Sequence, residues 1–131
     1  MRHHCNVQIL LGFLDAMLAY SCDENSDPLN KRYNIRSGLS SELRLEAVRI
    51  CREFEELAQD LLDETNLHTV GQDIWLSRSP SCSGFPIEEY PQHSHTLCAL
   101  ARSVNGFCEV IERNNMLFPK RNELDGQNQS C

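Results

Sequence analysis

The chain has 131 residues with a formal net charge of −7, and its composition is 40% hydrophobic and 24% charged. These values are typical of one soluble domain that buries a modest core without disulfides or metals. The acidic balance argues against direct binding to nucleic-acid phosphates and favours partner proteins with basic grooves.

An apolar run near the amino terminus allows two interpretations. Residues 7–19 follow Arg2 and precede Cys22, as they would in a signal peptide. However, Asp15 interrupts the run, and no stretch approaches the roughly 20 apolar residues that span a bilayer. Helical spacing of the apolar residues instead predicts an amphipathic core helix over residues 6–20 of a cytosolic protein. The spaced residues are Val7, Leu10, Leu14, Met17 and Leu18.

A second, longer helix follows a polar connector. Tyr33 and Ile35 in that connector are expected to anchor onto the core. Ser40 or Ser41 is predicted to cap the helix, which should end near Asp63. The predicted core stripe of this helix consists of Leu43, Ala47, Ile50, Phe54, Leu57 and Leu61.

Acidic residues cover another flank of the second helix. This flank, called the acidic surface below, consists of Glu53, Glu56, Asp60, Asp63 and Glu64. Arg49 and Arg52 are spaced to offset the first two as i, i+4 partners, and nothing offsets the last three. Negative charge near a helix C-terminus opposes the helix dipole, at about a few tenths of a kcal/mol per residue. The flank is therefore either an unoptimised solvated face or a surface kept for a basic partner.

Residues 73–77 are predicted to form a short strand. Ile74 and Leu76 flank Trp75, so both faces of the strand would have apolar side chains. We therefore expect Trp75 in the core, between the sheet and the long helix and near Phe54 or Leu57. An exposed Trp75 would instead indicate a recognition edge.

A third helix and a hairpin complete the predicted fold. Residues 80–90 are a loop, Pro91 is suited to begin a helix, and Gly106 is suited to end it. Residues 107–112 and 116–118 are then predicted strands. Between them lie Arg113, Asn114 and Asn115, and an Asn pair tolerates the positive φ of a tight turn.

This element order, α-α-β-α-β-β, predicts an α+β domain in which three main helices pack on a small antiparallel sheet. Residues 1–118 are predicted to form one compact domain. Residues 119–131 are polar and are expected to be a flexible tail.

Seven cysteines are scattered along the chain without a CxxC motif. An odd, irregular set does not match a disulfide framework, and single buried thiols behave as small apolar groups. Cys51, Cys98 and Cys108 lie among apolar residues and fit that role. The pattern favours a reducing compartment.

The most informative stretch is the signature segment, residues 71–85. It holds the only Trp and a turn-rich loop, and its distinctive residues are Gly71, Asp73, Trp75, Leu76, Arg78, Gly84 and Phe85. With these residues, the span of residues 13–118 resembles a family of small, mostly uncharacterised proteins of bacteriophages and mobile elements. Departures from that family's pattern are Gln72 for His, Ile74 for Phe, residues 80–82 for a Gly-rich turn and Pro86 for a second Trp.

The resemblance implies a mobile-element origin, an intracellular setting in the host cytoplasm and no enzyme class. Small acidic proteins of such origin often block host defence. The leading hypothesis is therefore a non-enzymatic inhibitor of a nucleic-acid-handling host complex, of anti-CRISPR or anti-restriction type. It would bind its partner through the acidic surface and Arg78, without a cofactor or metal.

Two alternatives remain open. In the first, an enzyme or ligand site forms at the signature segment from Asp73, Arg78, Cys82, His93 and His95, with a Cys–His pair as a possible nucleophilic centre. Against it, no family-specific signature surrounds Cys82, and a structural bridge between Asp73 and Arg78 needs no function. The histidines also lack zinc spacing, which argues against a metal site. In the second, the protein is a homo-oligomeric structural or assembly accessory with a self-complementary apolar patch.

Overall fold

The computed structural model describes residues 6–62, 66–79 and 84–120. The described part contains four α-helices, a short 3₁₀ turn and a two-stranded antiparallel sheet. In chain order they are α1 (Val7–Tyr20), the 3₁₀ turn (Leu29–Lys31), α2 (Ser41–Ala58), α3 (Leu67–Arg78), α4 (Ser94–Ser103), β1 (Val110–Arg113) and β2 (Met116–Pro119). The predicted α+β class is confirmed.

Side-chain caps begin the first two helices. The Asn6 Oδ1 accepts a hydrogen bond from the Gln8 N–H at 2.8 Å, and the Asn6 N–H donates to the Glu55 carboxylate of α2 at 3.0 Å. Ser40 Oγ accepts from the Leu43 N–H at 3.0 Å, which confirms the predicted cap of α2. The bond from the Asn6 N–H to the Glu55 carboxylate ties the start of α1 to α2.

The predicted strand over residues 73–77 is wrong, because these residues belong to α3. This helix begins after Asn66, whose Oδ1 accepts from the Thr69 N–H at 3.2 Å. α3 is buried on several faces at once, so its apolar residues show no single 3.6-residue stripe. Its buried residues are Val70, Gly71, Asp73, Ile74, Trp75, Ser77 and Arg78.

Two glycines let α1 and α3 cross at backbone contact. A Cβ on Gly71 would lie 1.9 Å from the Ile9 oxygen and 2.7 Å from the Phe13 nitrogen, and a Cβ on Gly12 would lie 1.9 Å from the His68 oxygen. These distances are far below van der Waals contact, so neither position accommodates a side chain. The crossing fixes the depth of α3 in the core.

Trp75 is buried in the core, as predicted, with 2% of its surface exposed. Its ring meets the Phe13 ring edge-on, with centroids 5.5 Å apart, and lies 5.9 Å from the Phe107 ring. Leu57, one of its two predicted neighbours, is 54% exposed and lies outside the core stripe of α2. The core is therefore centred on α1 and α3.

The hairpin is shorter at its start and longer at its end than the sequence indicates. β1 begins at Val110, not at residue 107, and Pro119 belongs to β2 instead of the tail. Asn114 and Asn115 alone form the turn, with φ of 55° and 62°, which confirms the positive φ predicted for this pair.

The hairpin attaches to the helices through β2. The Leu117 N–H donates to the Gly38 oxygen at 2.8 Å, and the Ser40 N–H donates to the Leu117 oxygen at 2.9 Å. These bonds join β2 to the residues that lead into α2. Tyr33 of the connector is buried, as predicted, and Ile35 packs against the core.

Further boundaries and one cysteine differ from prediction. α2 ends at Ala58 instead of near Asp63, which lies outside the described residues, and α4 begins at Ser94 instead of Pro91. Cys51 is a buried thiol, as expected, whereas Cys108 takes part in a disulfide. That disulfide removes the support that the cysteine pattern gave to a reducing compartment.

Replacing Gly71 by Ala is expected to destabilise the protein by about 1–3 kcal/mol or more, because the new methyl group collides with the α1 backbone. At an unconstrained helical site the same change stabilises by about 0.5–1 kcal/mol, so its sign is diagnostic. Gln72→Ala, one residue further along α3, is the control and should shift the free energy of unfolding by about 0.5 kcal/mol or less. Urea unfolding of both variants measures the difference, and a stabilised Gly71→Ala protein would contradict the crossing.

Candidate functional site

The signature segment lies where α3, α4 and the chain after residue 84 meet. Residues 71–79 and 84–85 of this segment are described, whereas residues 80–83, including Cys82, lie outside the described part. The geometry of the described residues shows which of them are available to a ligand or partner.

Arg78, predicted to contact a partner, is 3% exposed. Its Nη1 donates to the Ala101 oxygen at 2.9 Å and to the Val104 oxygen, and its Nη2 donates to the Phe107 oxygen at 3.0 Å. Burial lowers the pKa of Arg78 to about 10, so the guanidinium is still charged at neutral pH. Arg78 therefore holds the end of α4 and the chain after it, and it is withdrawn from the predicted interaction surface.

A second arginine makes the reverse contact. Arg102 of α4 donates from Nη1 to the Ser77 oxygen near the end of α3 at 2.8 Å. Each helix thus supplies a cation to the terminal carbonyls of the other, where the helix dipole is negative. This exchange locks the C-terminal ends of α3 and α4 together.

Asp73 is also enclosed, with 6% of its surface exposed, and no salt bridge joins it to Arg78. Burial raises the pKa of Asp73 to about 6, and the charge of Glu89 acts in the same direction. Hydrogen bonds from the Phe85 backbone and the Tyr90 side chain oppose this shift. Asp73 is thus a buried acid that faces the segment after residue 84.

Gly84 and Phe85 fit into the space between three helices. A Cβ on Gly84 would lie 2.2 Å from the Asp73 oxygen and 2.4 Å from Ser77 Oγ, so only glycine lets this segment approach α3. Phe85 is fully buried and stacks on Phe54 of α2 with ring centroids 5.6 Å apart. From α4, Cys98 Sγ donates to the Gly84 oxygen at 3.0 Å and Ser94 Oγ to the Phe85 oxygen at 2.6 Å.

These contacts make the described signature residues determinants of the fold. The alternative of an enzyme or ligand site required Asp73, Arg78, Cys82, His93 and His95 to converge on a concave pocket. Asp73 and Arg78 are enclosed, His93 is half-buried and His95 is exposed. None of these described residues lines either of two cavities, of about 260 and 460 Å³, that lie beside the hairpin.

The described part of the acidic surface consists of half-buried Glu53 and exposed Glu56 and Asp60. Glu53 bonds to Arg49 at 3.3 Å, which confirms one predicted i, i+4 pair. Glu56 and Asp60 are exposed, and neither has an ion-pair partner among the described residues, so the predicted pair of Glu56 with Arg52 does not form. The other two members, Asp63 and Glu64, lie outside the described residues.

Two apolar side chains are exposed on α2 and in the segment after Phe85. Leu57 on α2 is 54% exposed, and Ile87 in the segment after Phe85 is 56% exposed. The stacking of Phe54 on Phe85 brings these two parts of the chain together. The sequence pattern places Leu57 in the core stripe of α2, and no sequence signal distinguishes Ile87.

Within residues 6–62, 66–79 and 84–120, no group of three or more His, Cys, Asp or Glu residues is arranged to hold a metal ion. None of the helices in these ranges is both long and apolar enough to cross a membrane. No protein-family model, curated protein or solved structure matches the chain significantly.

The Arg78→Ala variant is expected to lose about 3 kcal/mol or more of unfolding free energy, because it leaves buried carbonyls of three residues without a donor. Arg78→Lys keeps the charge and should recover part of this loss, since one ammonium lacks the planar fork that reaches several acceptors. Arg102→Ala, at an exposed site, is the control and should cost about 1 kcal/mol. Denaturant unfolding measures the loss of unfolding free energy in each variant. Equal losses for Arg78→Ala and Arg102→Ala would refute the role of Arg78.

Asp73 is expected to make the protein less stable as the pH rises. Its pKa is about 6 when folded against an ordinary value of 3.8, so between these values the folded state binds more protons than the unfolded state. The contribution of Asp73 to stability should therefore be largest below about pH 4, and about 2–3 kcal/mol of it should be lost above about pH 6. Asp73→Asn should remove this slope, and parallel pH–stability curves for the two proteins would show that Asp73 titrates normally.

Proposed function

We propose that this protein is a non-enzymatic binding protein of a bacteriophage or mobile genetic element that acts in the host cytoplasm. Its acidic surface binds the basic groove of a host protein complex that handles nucleic acid. By occupying that groove it inhibits a defence system of CRISPR or restriction type. The inhibitor class and the setting rest on the resemblance of the signature segment.

The observation that supports this proposal is the exposed pair Glu56 and Asp60. Both carboxylates lie near the C-terminal end of α2, and neither is neutralised by a described cation. α2 ends at Ala58, so Asp60 follows directly on a helix end that is itself negative. This charge costs a little stability, which is expected of a surface maintained for binding.

Charge complementarity explains how such a surface would act. A groove that normally holds DNA or RNA presents cations at the spacing of phosphates, and exposed carboxylates can occupy it. Long-range attraction speeds the encounter, whereas desolvated apolar contacts slow dissociation. Leu57 and Ile87, both more than half exposed, are suited to supply those apolar contacts.

The role given to Arg78 differs from the sequence-based hypothesis. Because Arg78 is enclosed by the carbonyls of α4 and the chain after it, it supports the fold and does not touch the partner. Asp73, Trp75 and Phe85 are likewise buried. We therefore assign partner recognition to the acidic surface and fold stability to the signature segment.

Reversal of the two free carboxylates tests the proposal. In affinity capture from host cells followed by mass spectrometry, the wild type should recover a nucleic-acid-handling complex. The variant with Glu56→Lys and Asp60→Lys should lose it by at least about tenfold, because attraction becomes repulsion. Capture by the wild type should weaken as salt is raised.

A matched control makes the same change in net charge elsewhere. Glu24→Lys with Asp27→Lys alters two exposed acidic residues of the connector between α1 and α2. This variant should keep the partner. Equal capture by wild type and both variants would remove the acidic surface from the proposal, and turnover of a small substrate without any protein partner would favour the enzyme alternative.

A further inference from the structure

Within residues 6–62, 66–79 and 84–120, the hairpin has one strand edge without a partner. β2 is bonded to β1 on one side and to Gly38 and Ser40 on the other, whereas β1 is bonded to β2 alone. Since the Leu117 backbone faces Gly38 and Ser40, its cross-strand neighbour Glu112 must direct its own N–H and C=O away from β2. Among the described residues nothing accepts from or donates to them.

The N–H and C=O of Val110 also point away from β2, because Val110 lies two residues before Glu112 on the strand. Its neighbour across the hairpin is Pro119, which has no N–H. The open edge of β1 therefore presents two N–H and two C=O groups, one pair from Val110 and one from Glu112. Such a row is a template for another strand.

Side chains of opposite charge lie on either side of Ile111 on the outer face of β1. Glu109, just before β1, and Arg113, at its end, lie two residues on either side of Ile111, which places the three on the same face. Glu109 also bonds to Lys120 at 3.3 Å, and the Arg113 guanidinium lies 5.1 Å from the Phe118 ring centroid. Ile111 is 37% exposed, and both charged residues are exposed. A strand with this pattern is complementary to an antiparallel copy of itself.

We propose that β1 pairs antiparallel with β1 of a second copy of this chain, across a two-fold axis at Ile111. The two hairpins then form one four-stranded sheet. In this register Val110 of each copy exchanges hydrogen bonds with Glu112 of the other copy, so the open N–H and C=O groups of both strands are all satisfied. Ile111 faces its own counterpart, and Arg113 faces Glu109 of the second copy on each side of the axis.

The other registers that match the open groups fit worse. Pairing Glu112 with Glu112 of the second copy sets two like charges opposite each other. Pairing Val110 with itself sets Ile111 opposite Glu109 and leaves Arg113 without a carboxylate. Charge and backbone pattern thus select the register centred on Ile111.

The inner side of the open edge leaves room for the added strand. A cavity of about 260 Å³ lies beside β1, lined by Val110, Ile111 and Glu112 of the strand and by residues 22–24, Leu29 and Leu117. The Glu112 carboxylate does not compete for it, because both of its oxygens are bonded to Arg32 at 2.8 Å and one also accepts from the Tyr33 hydroxyl. The cavity can therefore take up the Val110 side chain of the second copy.

Cysteine cross-linking tests the geometry. In the proposed dimer, Ile111 faces its counterpart at a non-hydrogen-bonded site, with Cα atoms about 4.5 Å apart, a separation that a disulfide can bridge. Ile111→Cys is expected to form a covalent dimer under mild oxidation. Met116→Cys is the control, because Met116 is as exposed (40% against 37%) but lies on β2, away from the axis. Equal cross-linking of both variants, or of neither, overturns the proposal.

Charge exchange tests the register in solution. By sedimentation velocity from micromolar to millimolar protein, the wild type should show a concentration-dependent dimer. Arg113→Glu should weaken association by at least about tenfold, because both symmetric pairs become repulsive, and adding Glu109→Arg should restore it. Glu56→Lys with Asp60→Lys should leave it unchanged.

Several outcomes would contradict this assembly. A wild-type mass that stays monomeric at all concentrations overturns it. Dimerisation that is insensitive to Arg113→Glu overturns it as well, because association must then use another surface. A monomer that instead binds an extended basic peptide at β1 would assign the open edge to a different partner.

Discussion

The backbone contact between α1 and α3 is the constraint on which the remaining structure depends. Gly12 and Gly71 remove the side chains that would hold the helices apart, and the oxygens of His68 and Ile9 occupy that space. α3 consequently lies at a depth where residues on several of its faces are buried. Each polar group of α3 that is buried there needs an internal partner or loses stability.

The polar groups of α3 meet that requirement in different ways. Arg78 supplies donors to the carbonyls that α4 and the following chain leave unpaired. Asp73 faces the segment after residue 84 and has one oxygen, Oδ2, without a hydrogen-bond partner, which agrees with a pKa raised by burial. These residues are occupied inside the fold, whereas the two surfaces proposed for recognition, the end of α2 and the outer edge of β1, are exposed.

The sequence predicted best where a local interaction decides the structure. The Ser40 cap needs only the N–H of Leu43, and the Asn114–Asn115 turn needs only residues that tolerate positive φ. Candidate contacts were predicted less well. The charge and spacing of Glu56 and Asp60 are visible in the sequence. Their lack of ion-pair partners among the described residues, and the exposure of Leu57, depend on which face of α2 packs inward.

The sequence by itself therefore determined the α+β class, the amphipathic α1, the start of α2 and the hairpin turn, because each follows from periodicity or a short-range bond. Only the tertiary structure decided that residues 73–77 are helical. Ile74, Trp75 and Leu76 alternate as in a strand, yet they lie in a helix enclosed on several sides, where burial no longer repeats every 3.6 residues. Tertiary packing also decided that Arg78 is a structural donor, since its three acceptor residues lie more than twenty positions along the chain.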